Sequence, residues 1–84
     1  MERLEFLELC KAVSMLKKGI QGIRNTPPTL WVEYEGIKFY PIGYKLTYEK
    51  GIPKHTAIVH DLNANSVLEC DLSKVQRVVN NEQT

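Results

Sequence analysis

Residues 30–50 read LWVEYEGIKFYPIGYKLTYEK. At the start of this stretch Leu30, Val32 and Tyr34 fall on one face of an extended chain, and Trp31, Glu33 and Glu35 on the other. Gly36 supplies a tight turn into the next strand, IKFY. Pro41-Ile42-Gly43 then interrupts that strand, and a proline with a nearby glycine inside a strand pattern marks a bulge or a sharp bend. Alternation resumes beyond it, with Ile42, Tyr44, Leu46 and Tyr48 opposite Gly43, Lys45, Thr47 and Glu49. This is the grammar of an antiparallel sheet.

The tyrosines raise a functional question, because lysines stand among them. A nucleic-acid platform needs aromatic rings and cations on one accessible face. Here alternation separates them: Tyr44 and Tyr48 share a face with aliphatic residues while Lys45 points away. Both tyrosines are therefore expected in the core with their hydroxyls at its rim. Tyr40 precedes the bend, so alternation leaves its face open, and it stays a candidate binding residue. Trp31, beside Glu33 and Glu35, is exposed if the sheet is covered on one side only, and an exposed tryptophan is a binding anchor. The alternative places it beneath residues 25–28 or beneath the helix.

Working outward, the prolines at positions 27 and 28 exclude helix and central strand. Before them, residues 2–18 carry Phe6, Leu9, Val13 and Leu16 at helical spacing, with Glu2 and Glu5 in the first turn and Lys17 and Lys18 in the last. Gly19 followed by Ile20 is a Schellman stop; the competing reading continues the helix through Ile20 and Ile23. After the quoted stretch come a turn at KGIPK, a strand at HTAIVHDL, a turn at NAN and a strand at SVLECDL. One helical turn at LSKV, a last strand at QRVV and a polar tail at 80–84 complete the chain. The expected fold is α+β in one domain, 1–84: an N-terminal helix and a four- to five-stranded antiparallel meander over about 29–79. Two layouts remain, an SH3-like barrel curled at Pro41–Gly43 and an open sheet with the helix across one face.

Composition narrows the function classes. Eleven basic residues against ten acidic ones give a net charge of +1, too little for a general field towards nucleic acid or an anionic membrane. No apolar run approaches a membrane span and the chain start lacks a signal-peptide pattern. Cys10 and Cys70 are too few for a disulfide framework and are expected as free thiols in a reducing, cytoplasmic setting. His55 and His60 stand five apart on one strand and face opposite sides, so they do not converge on a metal. The HDLNAN cluster reads as a turn before it reads as a polar pocket. No nucleophile elbow, phosphate loop or dinucleotide fingerprint is present, so neither enzyme activity nor a cofactor is expected.

Lys17, Lys18 and Arg24, with Lys11, make a modest basic cluster near the helix end. Leu4, Leu7, Cys10, Ala12 and Met15 widen the apolar surface of the helix beyond what one small sheet covers. A homodimer or hetero-complex with Leu7 or Met15 at its centre is expected.

The stretch AVSMLKKGIQGIR, residues 12–24, resembles the opening of small phage proteins such as the Thoeris anti-defence 2 family, in which a short helix ends in Leu-Lys-x-Gly before a basic strand. The resemblance stops at Arg24, where no tryptophan follows, and it carries over no binding residues. It implies a phage or mobile-element accessory protein. Three readings follow: a binding protein that blocks or modulates a host protein, a sponge for an anionic nucleotide signal held by Lys17, Lys18 and Arg24, and an SH3-like nucleic-acid module.

Overall fold

The computed structural model describes residues 1–17, 27–62 and 65–78. The helix α1 spans Arg3–Lys17, and a 3-10 turn at Pro28–Leu30 leads into the sheet. Its strands are β1 Val32–Tyr34, β2 Ile37–Glu49, β3 Ile52–Asp61, β4 Val67–Asp71 and β5 Gln76–Arg77, with a second 3-10 turn, Leu72–Lys74, between the last two. All pairings are antiparallel. The expected Gly19 stop, Lys18 and Arg24 lie outside the described residues.

The helical stripe behaves as its spacing requires. Phe6, Leu9 and Val13 are buried, and Phe6 and Leu9 enter one cluster with Val32, Phe39, Ala57, Val59, Cys70, Leu72 and Val75. Leu4, Leu7 and Met15 stay exposed. Among the described residues no helix is long and apolar enough to cross a membrane.

The β1–β2 and β2–β3 hairpins close through two-residue turns. Glu35 and Gly36 have φ of 52° and 79°, and Lys50 and Gly51 have 53° and 81°. Two successive positive φ values fit the type I′ turn, whose twist matches that of the flanking strands. The second turn is tighter than the sequence suggests, because Ile52, Pro53 and Lys54 belong to β3. Replacing Gly51 by alanine forces a Cβ into left-handed backbone. It is expected to cost about 1 kcal/mol, seen as a fall of roughly 4–8 °C in the midpoint of thermal unfolding. An unchanged midpoint would contradict this turn geometry.

The break at Pro41–Gly43 is a bulge. Pro41 pairs with Val59 and Gly43 with Ile58, leaving Ile42 as the extra residue. The bulge returns Tyr44 to the helix-facing side, where it packs against the core. A Cβ added at Gly43 would sit 3.4 Å from the Ile58 side chain, so glycine allows the strands to approach at the bend.

The strand order is β4-β3-β2-β1-β5. The two edge strands are consecutive in the chain, joined by residues 72–75. Laid flat, four strand spacings would separate them by about 19 Å. The five steps from Asp71 to Gln76 span at most about 18 Å fully extended, and part of that path is a 3-10 turn. The sheet must therefore curl. Tyr34 at the end of β1 reflects this: its hydroxyl pKa is raised by the Glu35 carboxylate first and by burial, with Cys70 and Asp71 of β4 adding to it. The curl stops short of closure, because β4 and β5 do not pair with each other. The barrel layout is thus not adopted. A β1 of three residues and a β5 of two offer too short a ladder to complete one.

The edges are tied down locally. The Asp71 carboxylate accepts from the backbone N–H and hydroxyl of Ser73 at 2.9 and 2.8 Å and caps the second 3-10 turn. Those bonds hold its pKa below the usual carboxylate range. A depressed folded-state pKa contributes stability above the unfolded value and loses it as pH falls through the folded one. Asp71→Asn is therefore expected to lower stability at neutral and alkaline pH and to leave it nearly unchanged below the folded-state pKa, so that the acid limb of the stability–pH curve flattens, a contrast readable by urea unfolding at several pH values. Arg77 donates to Glu5 Oε2 at 3.1 Å and to the Thr29 carbonyl at 3.2 Å, joining β5, α1 and the first 3-10 turn.

Candidate functional site

The most distinctive surface follows from unequal strand lengths. β1 pairs with β2 only over Ile37–Phe39, and β4 pairs with β3 only over residues 56–60. The pairs Leu46/His55, Thr47/Lys54, Tyr48/Pro53 and Glu49/Ile52 therefore have no third strand beside them. They form a two-stranded arm about 14 Å long. Residues 45–54 are all exposed.

An isolated hairpin is marginal in water, so the arm needs internal support. The Lys50-Gly51 turn fixes its register. At its root Tyr44 stacks on His55, ring centroids 5.9 Å apart, and its hydroxyl shares a hydrogen bond with His55 Nδ1. The pairing register places Tyr44, Leu46 and Tyr48 of β2 on one face with Pro53 and His55 of β3. Ile52 lies on the other face, opposite Glu49. Tyr48 and Ile52 are 66% and 67% exposed, and Leu46 39%. The expectation that Tyr48 is a core residue is thus overturned. Its face is as expected, but it stands on the two-stranded arm, where no third strand packs beside it.

The other expected site residues disperse. Tyr40 is 5% exposed and stacks on His60, centroids 4.9 Å apart, on the sheet face opposite Phe39. It does not present a surface for binding. Trp31 is half-buried, and its backbone N–H closes the first 3-10 turn on Pro28. Lys17 ends α1. Leu7 and Met15 stand exposed on α1. His55 and His60 take different tyrosines and do not meet, and the His60 Nδ1–H donates to the Asp61 carbonyl at 2.8 Å. Among the described residues no three His, Cys, Asp or Glu side chains gather to hold a metal.

The clefts beside the arm are shallow and mixed in charge. One of about 310 Å³ opens at its root between Arg3, Lys54, His55 and Ser73, with Asp71 beside them. Another of about 380 Å³ sets Lys45 and Lys54 among Glu49, Glu69 and Asp71. Lys45 is already bonded to Glu69 at 2.9 Å. Neither cleft offers a one-sign field for an anion.

The thiols are protected rather than poised. Burial pushes the half-buried Cys10 up to about 11, and Cys70 is raised by burial first and then by Asp71 and Glu35. The thiolate is the nucleophile. Alkylation of Cys10 by iodoacetamide at pH 8 is therefore expected to run on the order of 100-fold slower than for a free thiol. A mass-spectrometric time course at the free-thiol rate would mean that Cys10 is not held as described.

Comparison of the chain with protein-family models, with curated proteins and with solved structures found no match in any of the three.

Proposed function

We propose that the protein is a small non-enzymatic binding module that docks another protein through the β2–β3 arm. The observation that carries this reading is the arm itself, which holds Leu46, Tyr48 and Ile52 in solvent beyond the body of the sheet. A burial-driven fold gains little from such residues there. Tyrosine with aliphatic neighbours on a stiff projection is the composition of a protein-contact anchor. The resemblance of residues 12–24 to the opening of the Thoeris anti-defence 2 family supports a phage or mobile-element origin, and the nucleotide-sponge alternative rests on the same resemblance. The nucleotide-sponge reading places its ligand on Lys17, Lys18 and Arg24, of which Lys18 and Arg24 lie outside the described residues, and the two clefts beside the arm mix their charges and add no anion site of their own.

A photo-crosslinking residue at Tyr48, compared with one at Lys38 on the exposed start of β2, tests the arm in bacterial lysate. A single protein is expected to be captured from position 48 and not from position 38. Equal capture from both, or capture from neither, would retire the arm as the docking element. A second apolar surface, Leu4, Leu7 and Met15 on α1, supports self-association through the helix. Light scattering is expected to give a mass above the 9.7 kDa of one chain, falling to it in Leu7→Glu. A wild-type monomer would refute that interface.

A further inference from the structure

We propose that β4 is a docking edge that takes an extended basic–apolar segment of the partner as an additional antiparallel strand. This rests on the binding-module reading and names its mode of recognition. β4 closes one side of the sheet, and among the described residues no strand pairs with its outer side. Natural sheets blunt such edges with charged side chains, proline, bulges or very short strands. The other edge is short, since β5 has two residues. β4 is guarded by negative charge alone: Val67–Asp71 is five residues long, carries Glu69 and Asp71 but no proline, and runs without a register break, so it repels acidic strands and leaves the backbone open to a basic one.

The backbone phase shows which groups are free. The Asp61 N–H donates to the Ser66 carbonyl at 3.1 Å. In an antiparallel ladder bonded and non-bonded pairs alternate. The Val59/Leu68 and Ala57/Cys70 pairs are therefore the bonded ones along β4. Val67 and Glu69 turn their N–H and C=O groups to the open side. A strand laid there has backbone partners waiting, which is the basis of recognition by β-augmentation.

Side chains set the occupant's chemistry. Glu69 and Asp71 share one face of β4 and are both exposed, while Leu68, exposed, and Cys70, buried, share the other. Glu69 already holds a surface ion pair with Lys45 at 2.9 Å. A cation on an added strand shares or replaces it at little cost, because such exposed pairs are weak. A strand running antiparallel to β4 meets Asp71, Cys70, Glu69, Leu68 and Val67 in turn. The complementary order is basic, apolar, basic, apolar, apolar, because opposite charges directly across a sheet stabilise and like charges do not. The same rule disfavours a second copy of β4. A two-fold pairing centred on the middle of the strand sets Glu69 against Glu69.

The probe is a blocked peptide, Ser-Gly-Lys-Val-Arg-Val-Ile-Gly-Ser, titrated into isotope-labelled protein and followed by amide chemical shifts. Its control carries Glu at both basic positions. Shifts are expected to centre on Val67, Glu69 and Asp71, with slowed solvent exchange at the Val67 and Glu69 amides. The basic peptide is expected to bind at least tenfold more tightly than the acidic one. Glu69→Pro removes an outward donor without touching a bond to β3, and a tenfold or greater loss is expected. Glu69→Lys is expected to reverse the peptide preference, and it serves as the deciding variant if the proline variant does not fold. Shifts elsewhere, equal binding of the two peptides, or an unreversed preference in Glu69→Lys would overturn the proposal. So would protection of the Val67 and Glu69 amides in the protein alone together with a dimer mass, which would make a second copy the occupant. The titration reads the edge and the crosslink at position 48 reads the arm, so the two fail separately.

Discussion

Phe6→Ala is expected to cost about 3–5 kcal/mol, the range for truncating a fully buried aromatic ring. Phe6 is wholly buried and joins α1 to all three long strands through one cluster. A chain of 84 residues carries a total stability of about 4–13 kcal/mol. The substitution therefore removes much of it, and the variant is expected to unfold at far lower urea. The exposed Glu8 on the same helix gives the internal control. Glu8→Ala is expected to stay within about 0.5 kcal/mol. A loss below 1 kcal/mol at Phe6, or equal losses at the two positions, would show that α1 is not docked on the sheet by this stripe.

That contrast marks what the residues themselves make legible. Helical spacing identifies Phe6, Leu9 and Val13 as one face because burial of a helix is a local, periodic requirement. The Gly36 turn and the Pro41–Gly43 bulge are legible for a similar reason, since each depends on backbone freedom at one or two residues. Period-two alternation also assigns Tyr44 and Tyr48 correctly to one face. It does not say how far along that face a covering layer extends, so one tyrosine meets the core and the other meets water. Tyr40 fails in the opposite sense. Its burial against His60 depends on a cross-strand partner twenty residues away, which no local pattern encodes. Whether the curled sheet closes is decided by the lengths of β1 and β5, the shortest elements of the chain. Short strands leave the weakest sequence imprint, so the barrel and the open sheet look alike until the ladder is traced. The arm is a consequence of the same long-range register: thirteen residues of β2 face only three of β1 and ten of β3.

Placing aspartate at both Leu46 and Tyr48 is expected to separate binding from stability. Both side chains are exposed on a hairpin with no third strand, so little burial is lost and the unfolding midpoint is expected to shift by about 0.5 kcal/mol or less per site. At a contact anchor the same change is expected to cost 2 kcal/mol or more, which is roughly a 30-fold weaker complex with the protein captured at position 48. The outcome also decides which face of the arm docks. Ile52 is as exposed as Tyr48 but lies across the hairpin beside Glu49. If the partner packs on the Tyr44–Tyr48 face, Ile52→Asp leaves affinity within about threefold. If it grips the arm from both sides, the two variants weaken binding alike. A double variant that binds as wild type does would mean that the exposed tyrosine face is not the anchor. The Tyr44–His55 stack at its root would then only brace a hairpin whose contacts lie along β4.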